Sequence, residues 1–350
     1  MKLKKRFALV IVLLLIAGGG FYFGKGIHHS ATEQPDKKSV NITHAVKKPK
    51  QPHTAKAQKE PTTKTLPNLG LQAKSVILIN AGNGDVLYNK NVEQPLPTAS
   101  MSKMMTELLV LKAIHENKIG WDQKVTISQY VDAISNHPGF ASIHLKMGQT
   151  YTVRELFNAM AIHSANDAAI ALAEAVSGSE KAFVDRMNDK ARQLGLKHTH
   201  FVDSTGLDNK DLGQYAQTGA QNDTNMMSAK DVAMLAKQLI EKYPEILKII
   251  QQPSVTFAGQ TYTNTNWMLP AVDKHQMGFE GVDGLKTGYT DAAGYCFVGT
   301  VEKDGERLIS VVMGASTPLD RFSETKRLYE AAFDQKQQRE LANGREKTNG

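Results

Sequence analysis

Residues 97–106 read Pro-Thr-Ala-Ser-Met-Ser-Lys-Met-Met-Thr, and apolar residues at helical spacing follow them directly. This pattern predicts a helix that begins at about Ser100. Residues three positions apart on a helix lie on the same face, one turn from each other. We therefore expect the hydroxyl of Ser100 and the amine of Lys103 to meet.

The chemistry of this pair sets a condition on the lysine. An alcohol is a poor nucleophile at neutral pH and needs a base. Lysine is a base only when uncharged, and its ordinary pKa is about 10.4. Burial and a second cation both lower a lysine pKa. Lys286 is the natural second cation, so Lys103 and Lys286 are predicted to face one cleft and each to disfavour the other's charge.

A second short motif, Ser164-Ala-Asn166, lies where one predicted helix ends and another begins. A hydroxyl such as that of Ser164 can relay a proton to a leaving amine. The amide of Asn166 can hold a substrate carbonyl and the lysine at once. Taken alone, the motif is better explained as a helix cap, because Ser, Asn and Asp are all good capping residues; its place in the ordered set favours the catalytic interpretation.

The third motif, Lys286-Thr287-Gly288, is predicted at a strand edge. Lys286 attracts a carboxylate, and the hydroxyl of Thr287 donates to it. Gly288 lets a ligand approach the backbone closely. The N–H of Tyr289 would complete, with the N–H of Ser100, a pair of donors for an oxyanion.

The order of the three motifs is the specific signal, since each motif alone is weak. Ser323-Glu-Thr-Lys326 also fits S-x-x-K, and Ser39-Val-Asn41 fits S-x-N. Neither of these has the other motifs after it in the right order.

The pattern of elements predicts the fold class. Asn83-Gly84 between two apolar runs indicates a β-hairpin, and Thr152-Val-Arg-Glu155 is a capping box that opens a helix. Strands thus open the domain, helices fill its middle, and strands with a helix close it. The predicted class is α/β (α+β): an antiparallel β-sheet flanked by helices, with a helical lobe inserted. Further helices are predicted over 167–176, 180–194, 229–242 and 320–333, and strands over 294–301 and 308–313.

Charge divides the chain into a front segment and a mildly acidic folded part. Residues 1–70 carry 13 Lys and Arg against three Asp and Glu, and the remainder carries 29 against 32. The net charge of +7 therefore belongs to the front, which argues against a nucleic-acid-binding domain. The single cysteine, Cys296, excludes an internal disulfide and is expected to be buried. No metal or organic cofactor is indicated.

The front segment predicts passage across a membrane. Four basic residues precede an apolar run over 7–24, which as a helix would span about 27 Å. Residues 1–24 are either a transmembrane anchor or a cleaved signal peptide, and both place the domain outside the cytoplasm. Residues 25–70 form a basic linker too poor in apolar residues to fold. Such a linker suits anionic lipid or wall polymer, and a merely solvated linker is the alternative.

On these residues the chain resembles the low-molecular-weight penicillin-binding proteins, the serine D-alanyl-D-alanine carboxypeptidase family. The S-x-x-K, S-x-N and K-T-G set belongs to this group of proteins. The resemblance implies a β-lactamase/transpeptidase-like catalytic domain over 71–334, followed by a polar tail, 335–350, without the C-terminal β-domain of larger members. Besides 97–106, the stretches that carry it are 163–173, 194–201, 203–207 and 281–290.

The resemblance also implies residue roles. Ser100 is then the nucleophile and Lys103 the general base. Ser164 and Asn166 are the proton relay and the substrate holder. The implied carboxylate-binding set is Lys286, Thr287 and Arg321.

The implied activity is removal of the terminal D-alanine from peptidoglycan stem pentapeptides, with covalent inhibition by β-lactams. The implied location is the outer face of the cell membrane, or outside the cell after signal cleavage. Two departures from the family are visible: a threonine stands between Pro97 and Ala99, and Asp203 stands where asparagine is common.

Three other functions remain open from sequence. A D,D-endopeptidase would use the same machinery on cross-links. A class A β-lactamase would need a glutamate that activates the deacylating water, and Glu174 and Glu180 are the candidates after Asn166. A wall-binding scaffold would keep the fold without catalysis. The third residue of the stem peptide, cleavage of the front segment and the oligomeric state stay undetermined.

Overall fold

The computed structural model describes residues 65–348; the predicted anchor and most of the predicted linker fall on residues 1–64, outside this part. Among residues 65–348, no helix combines the length and the apolar character needed to cross a membrane. The strands, in chain order, are β1 (Ser75–Asn80), β2 (Val86–Lys90), β3 (Leu96–Pro97), β4 (Lys124–Thr126), β5 (Thr150–Thr152), β6 (Met226–Met227), β7 (Ser254–Phe257), β8 (Gln260–Thr263), β9 (Val282–Thr290), β10 (Gly294–Lys303) and β11 (Glu306–Ala315).

The helices include all the predicted ones, and those between α1 and α9 lie close to their predicted limits. A 3-10 turn, Ala99–Ser102, precedes the first of them. The helices are α1 (Lys103–His115), α2 (Gln129–Ser135), α3 (Val153–His163), α4 (Asn166–Ser177), α5 (Glu180–Gln193), α6 (Asn209–Leu212), α7 (Ala229–Lys242), α8 (Ile246–Ile250) and α9 (Asp320–Thr348).

One antiparallel sheet organises the domain, in the strand order β2-β1-β11-β10-β9. β1 pairs with β11, with Ser75 opposite Met313, although most of the domain separates them in sequence. The predicted meeting of the domain's two ends in an antiparallel sheet is therefore confirmed. The predicted hairpin is also present, because β1 pairs with β2 across a turn in which Gly84 has φ +80°. β9, which carries the K-T-G motif, lies at the sheet edge.

The alternation of side chains along the strands separates two hydrophobic layers. Val298, Ile309 and Val311 face the helical lobe that is inserted between β2 and β9. Their neighbours Phe297 and Val312 face the opposite layer, which α9 covers. The sheet is thus sandwiched between the helical lobe and α9, as the fold class predicts.

Helix α1 is the centre of the lobe. It packs against α3, α4, α5 and α7, and every residue from Lys103 to Leu111 is buried. Helix α3 begins with the predicted capping box, in which Thr152 and Glu155 bond each other's backbone N–H. Burial on all sides of α1 means that its polar residues meet other protein groups rather than bulk water.

Three sequence expectations need correction. Helix α1 begins at Lys103 instead of Ser100, because the backbone over Ala99–Ser102 forms a 3-10 turn first. The packed structure begins before residue 71, since Leu66 is buried and its N–H bonds Leu87. The last helix continues from Phe333 to Thr348, so the polar tail is helical to that residue.

A buried carboxylate fixes the start of α4 beside the second motif. Asp167 is fully buried, and its oxygens accept from the hydroxyls of Ser135 and Ser142 at 2.9 and 2.8 Å. The backbone N–H groups of Ile143 and Leu145 also donate to it. The loop that follows α2 is therefore held to α4 through one side chain.

We expect Asp167→Ala to lower the free energy of unfolding by about 3 to 5 kcal/mol, because several buried donors lose their acceptor. The matched control is Asp185→Ala, which removes an exposed carboxylate paired with Lys181. Its cost should stay within about 0.5 kcal/mol. Urea unfolding of both variants measures the difference, and equal losses would contradict this account.

Candidate active site

Ser100 lies on a turn that neighbouring backbone compresses. Ala99, the preceding residue, is fully buried with φ +46°, a left-handed conformation that is strained for alanine. A Cβ atom on Gly206 would lie 1.9 Å from the carbonyl oxygen of Ala99, and one on Gly288 would lie 2.9 Å from that of Thr98. Both positions therefore require glycine. The segments that contain Gly206 and Gly288 pack closely against the turn that carries Ser100.

Lys103 is fully buried directly behind this turn. Its Nζ lies 2.9 Å from Ser100 Oγ, 2.6 Å from Asn166 Oδ1 and 2.8 Å from the carbonyl oxygen of Thr205. The last two atoms can only accept hydrogen bonds, whereas a serine hydroxyl can also donate. A neutral amine, with two N–H donors and one lone pair, thus satisfies all three contacts if Ser100 donates to it.

The electrostatic surroundings favour the neutral amine. Burial lowers the pKa of Lys103 well below its ordinary value, and the positive charge of Lys286 lowers it further. The carboxylates of Asp203, Glu107 and Asp167 act in the opposite direction and raise that pKa. The two lysines do face one site, as predicted.

The predicted interaction between the two lysines involves several further charges. Burial lowers the pKa of Lys286 to about 8; Glu107 raises it and Arg321 lowers it. The charge of Lys286 lowers the pKa of Lys103. Because an interaction between two charges is reciprocal, a charged Lys103 disfavours the charged form of Lys286 to the same extent.

The second motif provides one hydrogen-bond acceptor for each of the two lysine amines. Ser164 ends α3 with φ +66°, and Asn166 is the first residue of α4. The hydroxyl of Ser164 accepts from Lys286 Nζ at 2.8 Å, while the amide oxygen of Asn166 accepts from Lys103. The cap explanation is therefore incomplete, since neither side chain makes a capping hydrogen bond in the structure.

The third motif lies on β9 beside the serine turn. Lys286 and Thr287 are buried, and Thr287 Oγ1 donates to Thr265 Oγ1 at 2.7 Å. Tyr289 is 49% exposed, and its ring stacks on Tyr295. The role predicted for this residue, donation to an oxyanion, therefore concerns its backbone N–H and not its side chain.

Arg321 comes to the same strand from α9. Its guanidinium is buried and donates to the carbonyl oxygen of Gly288 at 3.2 Å. It lies between the rings of Tyr295 and Phe322, and its Nε has no hydrogen-bond partner. Burial lowers the pKa of Arg321 to about 10. The structure therefore gathers all the predicted site residues around one turn and one strand edge.

Sequence reasoning missed three residues that contact or act on this group. Thr205 contributes a backbone carbonyl and Thr265 a hydroxyl. Glu107 lies one turn after Lys103 and influences both lysines. A backbone carbonyl leaves no side-chain signature, but a glutamate four residues after the S-x-x-K lysine on a buried helix was a visible signal.

The competing sequence candidates lie elsewhere. Ser323 bonds the carbonyl of Asp320, and Lys326 bonds that of Gln276, so the second S-x-x-K does not form a pair. Glu174 accepts from Ser128. Glu180 accepts from Ser204 and Tyr130. Neither glutamate makes a hydrogen bond with Ser100. Among residues 65–348, no cluster of three or more His, Cys, Asp or Glu side chains is arranged to hold a metal.

The sheet sandwich and the gathered motifs define a protein of the penicillin-binding and β-lactamase-like class. Comparison with known families is more specific: the model described as D-alanyl-D-alanine carboxypeptidase matches residues 58–317. The chain belongs to the D-alanyl-D-alanine carboxypeptidase family.

Individual relatives agree. The D-alanyl-D-alanine carboxypeptidase DacF of Bacillus subtilis is 39% identical over 269 residues, which are 76% of this chain. This chain spans 64% of the length of that relative, less than two thirds.

Solved structures show the same fold. A peptidoglycan synthesis regulatory factor from Streptococcus pneumoniae is 40% identical with a TM-score of 0.71, covering 75% of this chain and 73% of that one. A penicillin-binding protein from Listeria monocytogenes with cefotaxime bound is 36% identical with a TM-score of 0.65, covering 76% and 99%.

We expect Lys286→Gln to raise the pKa of Lys103 by about one unit or more, because the neighbouring cation is lost. NMR titration of isotope-labelled lysine amines measures this directly, without reliance on any activity. The control is Lys237→Gln, since the Lys237 amine bonds Ala81 and Glu241 instead. An unmoved Lys103 midpoint in Lys286→Gln would show that the two lysines are not coupled.

Proposed function

We propose that the protein is a serine D-alanyl-D-alanine carboxypeptidase that forms an acyl-enzyme at Ser100. One observation carries the proposal: a fully buried lysine amine lies 2.9 Å from a serine hydroxyl, with two acceptor-only oxygens on its other sides. Such an amine is held ready to take the serine proton. Membership of the family supplies the substrate class, a peptide ending in two D-alanines.

In the first step, Lys103 Nζ takes the proton of Ser100 Oγ, and the oxygen attacks the carbonyl carbon of the penultimate D-alanine. The negative charge that develops on the carbonyl oxygen is stabilised by backbone N–H groups. Ser100 and Tyr289 supply these donors, since the serine turn and β9 meet at Gly288. The requirement for glycine at position 288 thus follows from bringing the two donors together.

The proton then leaves with the product. Lys103 returns it, by way of the Ser164 hydroxyl, to the amine of the departing D-alanine. Lys103 is neutral again and activates the water that hydrolyses the ester at Ser100. The support for this route is that the Ser164 hydroxyl lies in the same site, where it accepts from Lys286; no hydrogen bond joins it to Lys103 in the structure, so the transfer between them is part of the proposal.

A cluster of cations recognises the terminal carboxylate of the substrate. Lys286 and Arg321 are buried, and neither forms an ion pair within residues 65–348. The free Nε of Arg321 adds a donor beside them. The Thr287 hydroxyl donates to Thr265 in the structure and would turn from it to the carboxylate. Buried cations without a counter-ion favour binding of an anion. A carboxyl-terminal carboxylate meets this requirement, whereas an internal peptide bond does not.

The remaining partners follow from the same proposal. β-Lactams combine a carboxylate with a reactive carbonyl, so they would acylate Ser100, and the cefotaxime-bound relative supports this. Residues 1–24 would anchor the domain at the outer face of the membrane, or would be removed on secretion. Residues 25–70 would let it reach the wall and would associate with anionic lipid or wall polymer.

We expect Ser100→Ala to lose D-alanine release from a diacylated Lys-D-Ala-D-Ala peptide by about 10³-fold or more, together with labelling by fluorescent penicillin. The control is Ser323→Ala, the serine of the second S-x-x-K, which should retain both. Chromatographic product analysis and gel fluorescence measure the two readouts. Faster release from cross-linked muropeptides than from the peptide would assign an endopeptidase, and rapid penicillin turnover would assign a β-lactamase.

A further inference from the structure

A groove lies at the end of β9 that follows the K-T-G motif. Its volume is about 390 Å³. Three separate segments of the chain line it, with the residues His137, Phe140, Leu207, Asp211, Tyr289 and Asp291. The proposed reaction gives no role to these side chains. The position of the groove beside the site makes it a candidate for binding a part of the substrate that the reaction leaves unchanged.

One wall of the groove is fixed to the second motif. Phe140 is followed by Ala141, whose carbonyl oxygen accepts from the N–H of Asn166 at 2.8 Å. The residues that come next are held by the buried carboxylate of Asp167. The ring of His137 stacks on the ring of Phe140, with 4.0 Å between the ring centroids. This wall therefore has a fixed position relative to the site and offers an aromatic surface.

The other two walls continue from the segments that pack against the serine turn. Leu207 directly follows Gly206 in the chain. Tyr289 directly follows Gly288. Both glycines lie so close to the turn that carries Ser100 that neither position has room for a side chain. The groove therefore begins beside the nucleophile.

The proposed reaction determines which part of the substrate reaches this groove. The terminal carboxylate binds at Lys286 and Thr287, and the scissile carbonyl oxygen binds at the N–H of Tyr289, further along β9. A substrate in this orientation runs antiparallel to β9, which is the edge strand of the sheet. Residues of an extended peptide are about 3.3 Å apart. The third residue from the carboxyl end, which in a pentapeptide is also the third residue of the stem, therefore lies beside Thr290 and Asp291.

The charge of the groove indicates which side chain it accepts. Asp211 and Asp291 are exposed carboxylates on two different walls. Asp291 accepts from the hydroxyl of Tyr289 at 2.8 Å. Lys210, the cation next to Asp211 in the chain, lies 4.0 Å from Asp208 instead. Within residues 65–348, neither Asp211 nor Asp291 forms an ion pair. Two unpaired carboxylates beside aromatic rings favour an ammonium group.

We propose that this groove is the subsite for the third residue of the stem peptide and that it selects a diamino acid whose side-chain amine is free. The methylene groups of such a side chain pack on Phe140 and Leu207, and its ammonium group lies near Asp211 and Asp291. The inference rests on the proposed function, which supplies the orientation of the substrate. An amine that is acylated in a cross-link carries no charge, so the groove favours stem peptides in which this amine is not cross-linked.

Two peptides that differ only at this amine test the inference. One is Nα-acetyl-Lys-D-Ala-D-Ala, in which the side-chain amine is free, and the other is the Nα,Nε-diacetyl peptide. We expect the wild type to show about fivefold higher kcat/KM for the free-amine peptide at low salt, since exposed ion pairs contribute modestly. At about 1 M salt the difference should shrink, because the carboxylates of the groove are exposed and are screened. Release of D-alanine measures both values.

The variants for this test are Asp211→Asn, Asp291→Asn and the two combined. Asparagine keeps an acceptor for the Tyr289 hydroxyl and removes only the charge. Each single variant should reduce the preference for the free-amine peptide, and the double variant should lose it. The control is Asp185→Asn, which removes an exposed carboxylate that pairs with Lys181 elsewhere on the surface. This control should keep the wild-type ratio between the two peptides.

Two results would overturn the inference: equal kcat/KM for the two peptides in the wild type, or a preference that the double variant retains. The second result would assign the preference to the size of the acetyl group instead of the charge of the amine. Because the ratio compares two substrates of one protein sample, a partly folded variant does not distort it. Failure of the proposed function is distinguishable, because neither peptide would then release D-alanine.

Discussion

The burial of one amine is the constraint on which this structure depends. Lys103 is the base of the proposed mechanism only when its nitrogen is neutral, and it is neutral only where water cannot solvate its charge. The domain meets that requirement by placing the lysine on α1, the helix that other helices and the sheet surround. The sheet and the lobe must therefore both be complete before the serine beside that lysine can be activated.

The local parts of the site can be predicted from sequence, and the non-local parts cannot. The contact between Ser100 and Lys103 is correct although the predicted helix start is three residues too early. The reason is that side chains at i and i+3 also align on a 3-10 turn, so the spacing is robust to this error. The sheet could be predicted from sequence because the hairpin and the closing strands have strong local patterns.

The sequence could not predict the site atoms that only tertiary contacts bring close to the lysines. The carbonyl of Thr205 reaches Lys103 because Asp203 shapes its turn, and a carbonyl has no residue-type signature. The polar stretch after Phe333 carries little apolar periodicity, so its helix was missed. The pKa of each lysine also depends on its full surroundings: Asp203, Glu107 and Asp167 raise the pKa of Lys103, and Arg321 lowers that of Lys286.

Two buried cations without a contact ion pair bear on the selectivity proposed for the site. Burial of Lys286 and Arg321 costs free energy, since neither has an ion-pair partner among the described residues. In the proposed function an arriving carboxylate would remove that cost, so the site would favour ligands that end in an anion at this position. Lys103 must not compete for the same anion, and its neutrality prevents this. In the proposed mechanism the buried neutral amine would therefore serve two purposes: it would activate Ser100, and it would leave the carboxylate to the two cations that place the substrate carbonyl at the nucleophile.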